Sequence, residues 1–251
     1  MFNWLTIELT NRCNKSCGFC GRAKIRDKME LGEMDFKLFR KIIKEYDGDI
    51  LQFSRDGEPL MYSRLREVGD LVAPYFTNVV TNGILLWEKK TEVLNFDTIT
   101  VSVIEDDDMQ FNAIKSFVEW NKGFQPNVLI KFLGSYYNPE FEKLGLHTMR
   151  RTLHNPEGDW DYEKKGEIIP EIGVCLDFMM KHSINWKGEF FICNRFDPGK
   201  KGKIGDVNSQ RLKEIWKSEE RLSLFNTHRK GLRKSVLFCS KCEFWGIPRY
   251  I

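Results

Sequence analysis

Patterns typical of strands and of helices alternate over residues 4–153, and this alternation constrains the fold more than any other feature. The strand patterns lie at residues 4–10, 49–53, 79–80, 98–104, 128–133 and 149–153. Apolar residues at helical spacing separate them, at residues 35–46, 61–73, 85–94 and 109–120, with a short helix pattern near residue 140. Such alternation predicts parallel strands joined by crossover helices. With six units, where a closed barrel has about eight, we expect an α/β fold, a partial (β/α)6 TIM-like barrel over residues 1–160.

The pattern changes in the last third of the chain. Residues 161–173 are charged and interrupted by Gly and Pro, which is typical of a linker. A hairpin pattern follows over residues 183–193, and helix patterns lie at residues 209–217 and 219–228. We therefore expect a small α+β module, a β-hairpin plus helices, over residues 161–251.

Composition excludes several classes of function. Lys and Arg number 39 against 36 Asp and Glu, and a net charge of +3 is too balanced for a nucleic-acid or anionic-membrane partner. No apolar run reaches the roughly 18 residues of a membrane-spanning helix, and the first residues lack the layout of an export signal. We therefore expect a cytoplasmic protein whose seven cysteines bind metal rather than form disulfides.

Three cysteines lie just after the first strand pattern, at C-x3-C-x2-C spacing: Cys13, Cys17 and Cys20. Thiolates this close in sequence can converge on one iron–sulfur cube, and the fourth nearby cysteine of the usual ferredoxin run is missing. Three protein ligands would leave one iron open for a small molecule. The alternatives are an incomplete zinc site or three buried thiols, although zinc sites favour paired C-x2-C or Cys/His ligands at finger-like distances.

The remaining cysteines are spaced C-x17-C-x45-C-x2-C: Cys175, Cys193, Cys239 and Cys242. This spacing alone does not distinguish a tetrahedral zinc site from a second 4Fe-4S cluster.

The first cysteine set resembles the cluster motif of radical S-adenosylmethionine (SAM) enzymes, and further matches fall in register. Phe19 stands at the aromatic position that packs near the adenine in this family. Residues 55–59 (RDGEP) resemble the family's GGEP segment, with Asp56 in place of the first glycine. The resemblance implies that Glu58, next to Gly57, receives the SAM ammonium in a charge-assisted hydrogen bond.

Three other polar residues near strand ends are implied to contact SAM. Ser102 resembles the family's polar residue near the SAM ribose and carboxylate, and Asn82 is a second candidate. Lys131 could meet the SAM carboxylate, or could be a structural lysine whose stem is buried and whose amine reaches solvent.

The residues around the second cysteine set resemble the SPASM/twitch module of radical SAM enzymes. Complete SPASM modules hold two auxiliary clusters, and four cysteines fit the shorter twitch form with one fully ligated cluster. The resemblance thus implies SAM and two 4Fe-4S clusters as cofactors, one cluster with three cysteine ligands and the other with four.

The resemblance also implies a mechanism. An external low-potential electron donor reduces the first cluster, SAM is cleaved to a 5′-deoxyadenosyl radical, and that radical removes a substrate hydrogen atom. The fully ligated cluster then takes the second electron, which makes the reaction a two-electron oxidation. Arg150 or Arg151 could hold a substrate oxygen, and His154 or Asp159 could accept a proton. Each could instead be a bridging hydrogen-bond partner at the domain junction.

The layout is similar to family members that oxidise an aminocyclitol alcohol to a ketone, which favours a small polar metabolite, a sugar or cyclitol, as substrate. The alternative is a radical maturase or epimerase acting on a peptide or protein. Many peptide maturases have a leader-binding domain before the barrel, and we expect none here because Cys13 is close to the start. A non-catalytic iron–sulfur electron carrier is disfavoured, because it has no use for an open iron beside an amine receptor.

Overall fold

The protein is described from a computed structural model that covers residues 4–18, 20–151, 174–240 and 242. Its first part contains six parallel strands: β1 (Trp4–Ile7), β2 (Ile50–Phe53), β3 (Phe76–Thr81), β4 (Thr98–Val103), β5 (Asn127–Leu133) and β6 (His147–Arg151). The connecting helices are α1 (Gly21–Ile25), α2 (Phe36–Glu45), α3 (Leu65–Val72), α4 (Asp108–Asn121) and α5 (Glu140–Lys143). The predicted partial barrel is confirmed.

Local sequence explains where the longer helices begin. Asp35 precedes α2, and its carboxylate accepts hydrogen bonds from the backbone of Lys37 and Leu38 at 2.8 and 3.1 Å. Asp107 caps α4 in the same way by accepting from Gln110 N at 3.0 Å. These side chains pair amide groups that a helix start would otherwise leave without partners.

One predicted helix, residues 85–94, is wrong. The chain makes turns there, in which Leu86 N donates to Gly83 O at 3.1 Å and Glu92 N donates to Lys89 O at 2.9 Å. These bonds reach back three residues and close turns. A single four-residue bond, from Lys89 N to Leu85 O at 2.9 Å, is not continued by others, so the segment does not form a regular α-helix.

The strands have two faces with different surroundings. On β5, Val128, Ile130 and Phe132 are buried, and the Phe132 ring lies 5.9 Å from that of Phe141 on α5. Since side chains alternate along a strand, Lys131 lies on the opposite face, away from the helix layer. This inner face carries the polar candidate site residues Lys131 and Ser102.

The second part of the chain continues the same sheet. Its elements are α6 (Leu176–Met180), β7 (Lys181–Ile184), β8 (Glu189–Phe191), β9 (Lys203–Asp206), α7 (Leu212–Trp216) and α8 (Glu219–Arg229). β7 pairs with β1 in parallel, with Leu5 opposite His182, so the described strands form one sheet in the order β6-β5-β4-β3-β2-β1-β7-β8-β9. The predicted hairpin is β7–β8, and it turns at Gly188 with φ of 90°.

Apolar packing also crosses from one part to the other. The buried core is one cluster that runs from Leu5 in β1 to Ile215 in α7. Gly32 lies against the Trp186 ring, where an added Cβ would be 2.4 Å from ring carbons. The predicted boundary near residue 160 lies outside the described residues. In the described part of the chain, no helix has the length and apolar character needed to cross a membrane.

Candidate active site

The first cysteine loop follows β1 at the carboxyl end of the sheet, where parallel α/β folds place their sites. Cys13, Cys17 and Cys20 are all partly exposed and none is in a disulfide. Cys20 N donates to Cys17 O at 3.0 Å, and Cys20 directly precedes α1. Lys15 anchors the loop by donating to the α4 cap Asp107 at 2.7 Å.

Gly57 allows a second loop to lie against the first. A Cβ added there would be 2.0 Å from Thr10 O and 2.8 Å from Arg12 O, so no larger residue fits without a backbone shift. Glu58 N donates to Arg12 O at 2.8 Å and fixes the same approach. The structure therefore brings the predicted GGEP-like segment directly against the cysteine loop.

Glu58 is buried, at 2% exposure, and its carboxylate is held by three donors. One oxygen accepts from the Thr81 hydroxyl at 2.7 Å and from Leu60 N at 3.0 Å, while the other accepts from Asn82 N at 2.7 Å. Burial raises the pKa of Glu58, and these hydrogen bonds oppose the rise. An ionised carboxylate has about four acceptor positions, which leaves room for one further donor.

Asn82 links this carboxylate to the cysteine loop. Its amide nitrogen lies 3.9 Å from Cys13 Sγ and donates to the Asn14 side chain at 2.8 Å. Gln110, a residue that the sequence did not single out, donates to Asn82 O at 2.5 Å and to Ser102 O at 3.0 Å. The amide of Gln110 thus ties the ends of β3 and β4 together.

Three of the predicted SAM-contacting residues follow one another across neighbouring strands. Ser102 on β4 is directly opposite Lys131 on β5 in the strand register, and Asn82 follows the end of β3 on the other side of Ser102. Together with Glu58, these three residues form an arc that starts next to Cys13. We call the four residues the polar arc: Glu58, Asn82, Ser102 and Lys131. Phe19 lies outside the described residues.

The cysteine loop suits a metal cluster chemically. Burial raises the pKa of the thiols of Cys13 and Cys20, and that of Cys17 to about 12. Thiols this poorly solvated become thiolates when a metal replaces the proton. The loop offers three such donors and lies beside the polar arc, which fits a cube with one iron left for an outside ligand.

The other cysteines converge on one small cavity: Cys175, Cys193, Cys239 and Cys242. Asp177, Arg195 and Arg233 also line it. Burial raises the pKa of the thiols of Cys175 and Cys193 too, and that of Cys239 to about 12. Four thiols around one cavity suit a fully ligated cluster. Within the described residues, no three or more His, Cys, Asp or Glu side chains are arranged to hold a single metal ion.

Arg55 connects the GGEP-like segment to the second site. Its guanidinium donates to Ser183 Oγ at 2.6 Å and lies 3.9 Å from the Phe191 ring centre, while Ser183 Oγ donates to Cys193 O at 2.9 Å. Arg55 has a φ of 143°, a strained value for a residue other than glycine. These side-chain contacts hold Arg55 in that conformation.

Two carboxylates complete this junction, the buried Glu8 and the partly buried Asp56. Glu8 directly follows β1. Its carboxylate accepts hydrogen bonds from Asp56 N at 3.0 Å and from Trp186 N at 3.1 Å, so it joins the GGEP-like segment to the β7–β8 hairpin. Burial and the charge of Asp56 raise the pKa of Glu8 to about 7, and burial raises that of Asp56 as well. Glu8 interrupts an otherwise apolar strand pattern, which could have indicated from the sequence that it has such a linking role. The sequence analysis did not single it out.

The predicted substrate residues are only partly described. Arg151 ends β6 and is partly buried on the inner face, and Arg150 lies exposed with its guanidinium 4.4 Å from the Tyr137 ring centre. His154 and Asp159 lie outside the described residues.

Comparisons with known proteins agree with this geometry. Residues 175–243 match the family model SPASM, described as an iron-sulfur cluster-binding domain. The S-adenosyl-L-methionine-dependent 2-deoxy-scyllo-inosamine dehydrogenase of Niallia circulans is 20% identical over 97% of this chain and 93% of its own length. Residues 175–243 thus match an iron-sulfur cluster-binding domain, and the chain as a whole is similar to a SAM-dependent dehydrogenase. The predicted resemblance and the predicted enzyme class are thereby confirmed.

Solved structures show that the chain shares its fold with proteins that bind different molecules. A crystal structure of BtrN in complex with AdoMet and 2-DOIA matches with a TM-score of 0.72 and 18% identity, covering 100% of this chain and 99% of that one. Streptococcus suis SuiB bound to the precursor peptide SuiA matches with a TM-score of 0.68 and 14% identity, covering 97% of this chain and 70% of SuiB.

Proposed function

We propose that this radical SAM enzyme oxidises an alcohol carbon of a small polar metabolite, a sugar or cyclitol, by two electrons. The observation that carries the proposal is the placement of two cysteine sites on neighbouring strands of one sheet. The three-cysteine loop follows β1, and the four-cysteine cavity adjoins β7 and β8. The similarity to a named cyclitol-amine dehydrogenase over nearly the whole chain supports the same reaction class.

In this proposal Cys13, Cys17 and Cys20 hold a 4Fe-4S cluster, and the polar arc holds SAM. The bound cofactors supply a reductively generated radical that abstracts hydrogen from carbon. Glu58, fixed by three hydrogen bonds, accepts the SAM ammonium as its fourth donor. Ser102 and Lys131 contact the ribose and carboxylate side, and Phe19 packs near the adenine.

The proposed substrate lies between the polar arc and the second site. Arg151 holds a substrate oxygen, and His154 or Asp159 accepts the proton that leaves with the oxidation. Cys175, Cys193, Cys239 and Cys242 hold a fully ligated 4Fe-4S cluster that takes the second electron. An external low-potential donor supplies the first electron, and the cytoplasm is the proposed compartment because such clusters need reducing conditions.

A peptide substrate is the second candidate, favoured by the fold match to SuiB. That match concerns the fold, whereas the dehydrogenase match extends over both chains in sequence, so the small molecule is the substrate class that we favour.

Reductive SAM cleavage tests the proposed function without a known substrate. Protein reconstituted with iron and sulfide under anaerobic conditions should form 5′-deoxyadenosine when SAM and dithionite are added. The Cys17→Ala variant should lose this activity by at least about 100-fold, because the cluster loses one of its three ligands. Absence of 5′-deoxyadenosine from wild-type protein with an intact first cluster would rule the proposal out.

A further inference from the structure

Asn82 uses each of its polar groups in a hydrogen bond within the chain. Its backbone N–H donates to Glu58 at 2.7 Å, and its backbone carbonyl accepts from the Gln110 side chain at 2.5 Å. Its side-chain oxygen accepts from Ile84 N at 3.0 Å and closes a turn. The amide nitrogen donates one hydrogen to Asn14 Oδ1 at 2.8 Å. These bonds come from different segments and together fix the orientation of the side chain.

The second hydrogen of this amide is directed at a cysteine sulfur. Asn82 Nδ2 lies 3.9 Å from Cys13 Sγ, at the long end of the range for hydrogen bonds to sulfur. Burial raises the pKa of the Cys13 thiol, and the bond from Asn82 is among the interactions that oppose this rise. A thiol is a weak acceptor, whereas a metal-bound thiolate carries charge and accepts a stronger bond. Because both hydrogens are used, the amide has no donor left for SAM.

A second set of bonds ties the cysteine loop to Asn82 through α4. Lys15 in the loop donates to Asp107 at 2.7 Å and lies 3.1 Å from a carboxylate oxygen of Glu105. Asp107 accepts from Gln110 N at 3.0 Å, and the buried Gln110 side chain holds Asn82 O. The loop and the amide are therefore joined both directly and through α4, so the approach of Asn82 to the cysteine sulfur is held from two sides.

We propose that Asn82 tunes the reduction potential of the first cluster by donating a hydrogen bond to the sulfur of Cys13, and that its side chain does not contact SAM. Reduction adds negative charge to a cluster, and hydrogen bonds to the ligand sulfurs stabilise the reduced form. The bond therefore raises the potential and eases the electron transfer that precedes SAM cleavage. Asn82 serves the polar arc through its backbone N–H, which orients Glu58. This inference rests on the proposed function, in which Cys13 holds that cluster.

The potential of the first cluster in the absence of SAM tests the inference. Redox titration followed by electron paramagnetic resonance uses the full chain carrying Cys193→Ala, which lacks one ligand of the second site, so that the first cluster gives the signal. Adding Asn82→Ala should lower the ratio of reduced to oxidised cluster at a fixed applied potential by at least about threefold.

Asn82→Asp is the second variant, because it retains an oxygen for Ile84 N and so keeps the turn. It removes both amide hydrogens and places a negative charge beside the sulfur. The same ratio should therefore fall by about tenfold, which for a one-electron couple is a shift of about 59 mV to lower potential.

Two control variants separate the bond to sulfur from other effects. Asn78→Ala makes the same change on the same strand, where the side chain accepts from Thr100 Oγ1 at 2.9 Å. Asn14→Ala removes the other partner of the Asn82 amide and leaves the contact with Cys13. Both controls should change the ratio by less than about twofold.

An unchanged potential in both Asn82 variants would overturn the inference, and so would an equally large shift in Asn14→Ala. If the potential is unchanged and SAM binds at least about tenfold more weakly to Asn82→Ala in anaerobic calorimetry, Asn82 is a SAM contact instead.

Formation of 5′-deoxyadenosine by the wild-type protein separates this failure from failure of the proposed function. SAM cleavage by the wild type with no shift of potential in the variants rejects the tuning role alone. A shift of potential without SAM cleavage by the wild type rejects the radical chemistry alone. If the Cys193→Ala protein binds no cluster after reconstitution, both are rejected.

Discussion

Replacing Gly57 by alanine should disable the first site and destabilise the protein. The new Cβ would be 2.0 Å from Thr10 O and 2.6 Å from Asn11 Cα, and both are backbone atoms that cannot rotate away. Separating the two loops breaks the bond from Glu58 N to Arg12 O and displaces the carboxylate that orients Asn82. We expect unfolding to become easier by about 3 kcal/mol and SAM cleavage to fall at least about 100-fold, the usual cost of displacing a reacting group by about 1 Å.

Gly199→Ala is the control for this substitution. Its added Cβ would be 3.5 Å from a carbon of the flexible Lys201 side chain, which is an ordinary contact. Its unfolding free energy should stay within about 0.5 kcal/mol of wild type. Stability is measured by chemical denaturation and SAM cleavage by 5′-deoxyadenosine formation. If both are unchanged in Gly57→Ala, the two loops do not depend on each other.

Replacing Cys193 by alanine should remove the second cluster and leave the first. Cys193 lies after β8, lines the four-cysteine cavity, and is tied through its carbonyl to Ser183. Iron bound after reconstitution should fall from about eight to about four atoms per chain, since a cube contains four irons. Formation of 5′-deoxyadenosine should continue, because the cysteine loop and the polar arc belong to other elements.

A cluster held by these four cysteines would also stabilise this part of the chain, since metal binding free energy is available to folding. In Cys193→Ala, hydrogen exchange should therefore quicken around α6 and around residues 233–240. Ser183→Ala is the matched control, because it removes the hydrogen bond to Cys193 O and retains every thiol. Zinc in the wild-type cavity, or an unchanged iron content in Cys193→Ala, would exclude the proposed second cluster.

Much of the fold was predictable because local patterns agree with it. The strand at residues 128–133 alternates buried and less buried residues, and the structure has β5 there. The segment at residues 85–94 failed because apolar spacing alone does not distinguish a helix from consecutive turns that bury the same residues. The pairing of β7 with β1 was not predictable, since it joins residues more than 170 positions apart and depends on no local signal.

Some residues of the candidate site were likewise predictable from the sequence, and others were not. Spacing and resemblance pointed to Gly57, Glu58 and Ser102. The structure brings Gly57 and Glu58 against the cysteine loop, and Gln110 links the Ser102 carbonyl to that of Asn82. Gln110 and Thr81 escaped attention because their roles are hydrogen bonds to backbone and carboxylate atoms of distant segments. Such roles have no motif, and only the folded arrangement reveals them.

The junction between the two sites shows what a departure from a motif can mean. Asp56 stands in the place of a glycine, and in the structure it lies 3.3 Å from the Arg55 guanidinium, while its backbone nitrogen donates to Glu8. Arg55 in turn reaches Ser183. The pair of Arg55 and Asp56 therefore lies at the contact between the barrel and the module. The sequence alone did not indicate this position.

The central claim is that the first site has an iron that the polypeptide leaves open and that SAM occupies. The most direct measurement is electron–nuclear double resonance of the reduced first cluster in Cys193→Ala, with SAM isotopically labelled at its amine nitrogen and carboxylate carbon. The account predicts hyperfine coupling from both labelled atoms to the cluster. With SAM present in saturating amount, a spectrum free of both couplings would contradict it.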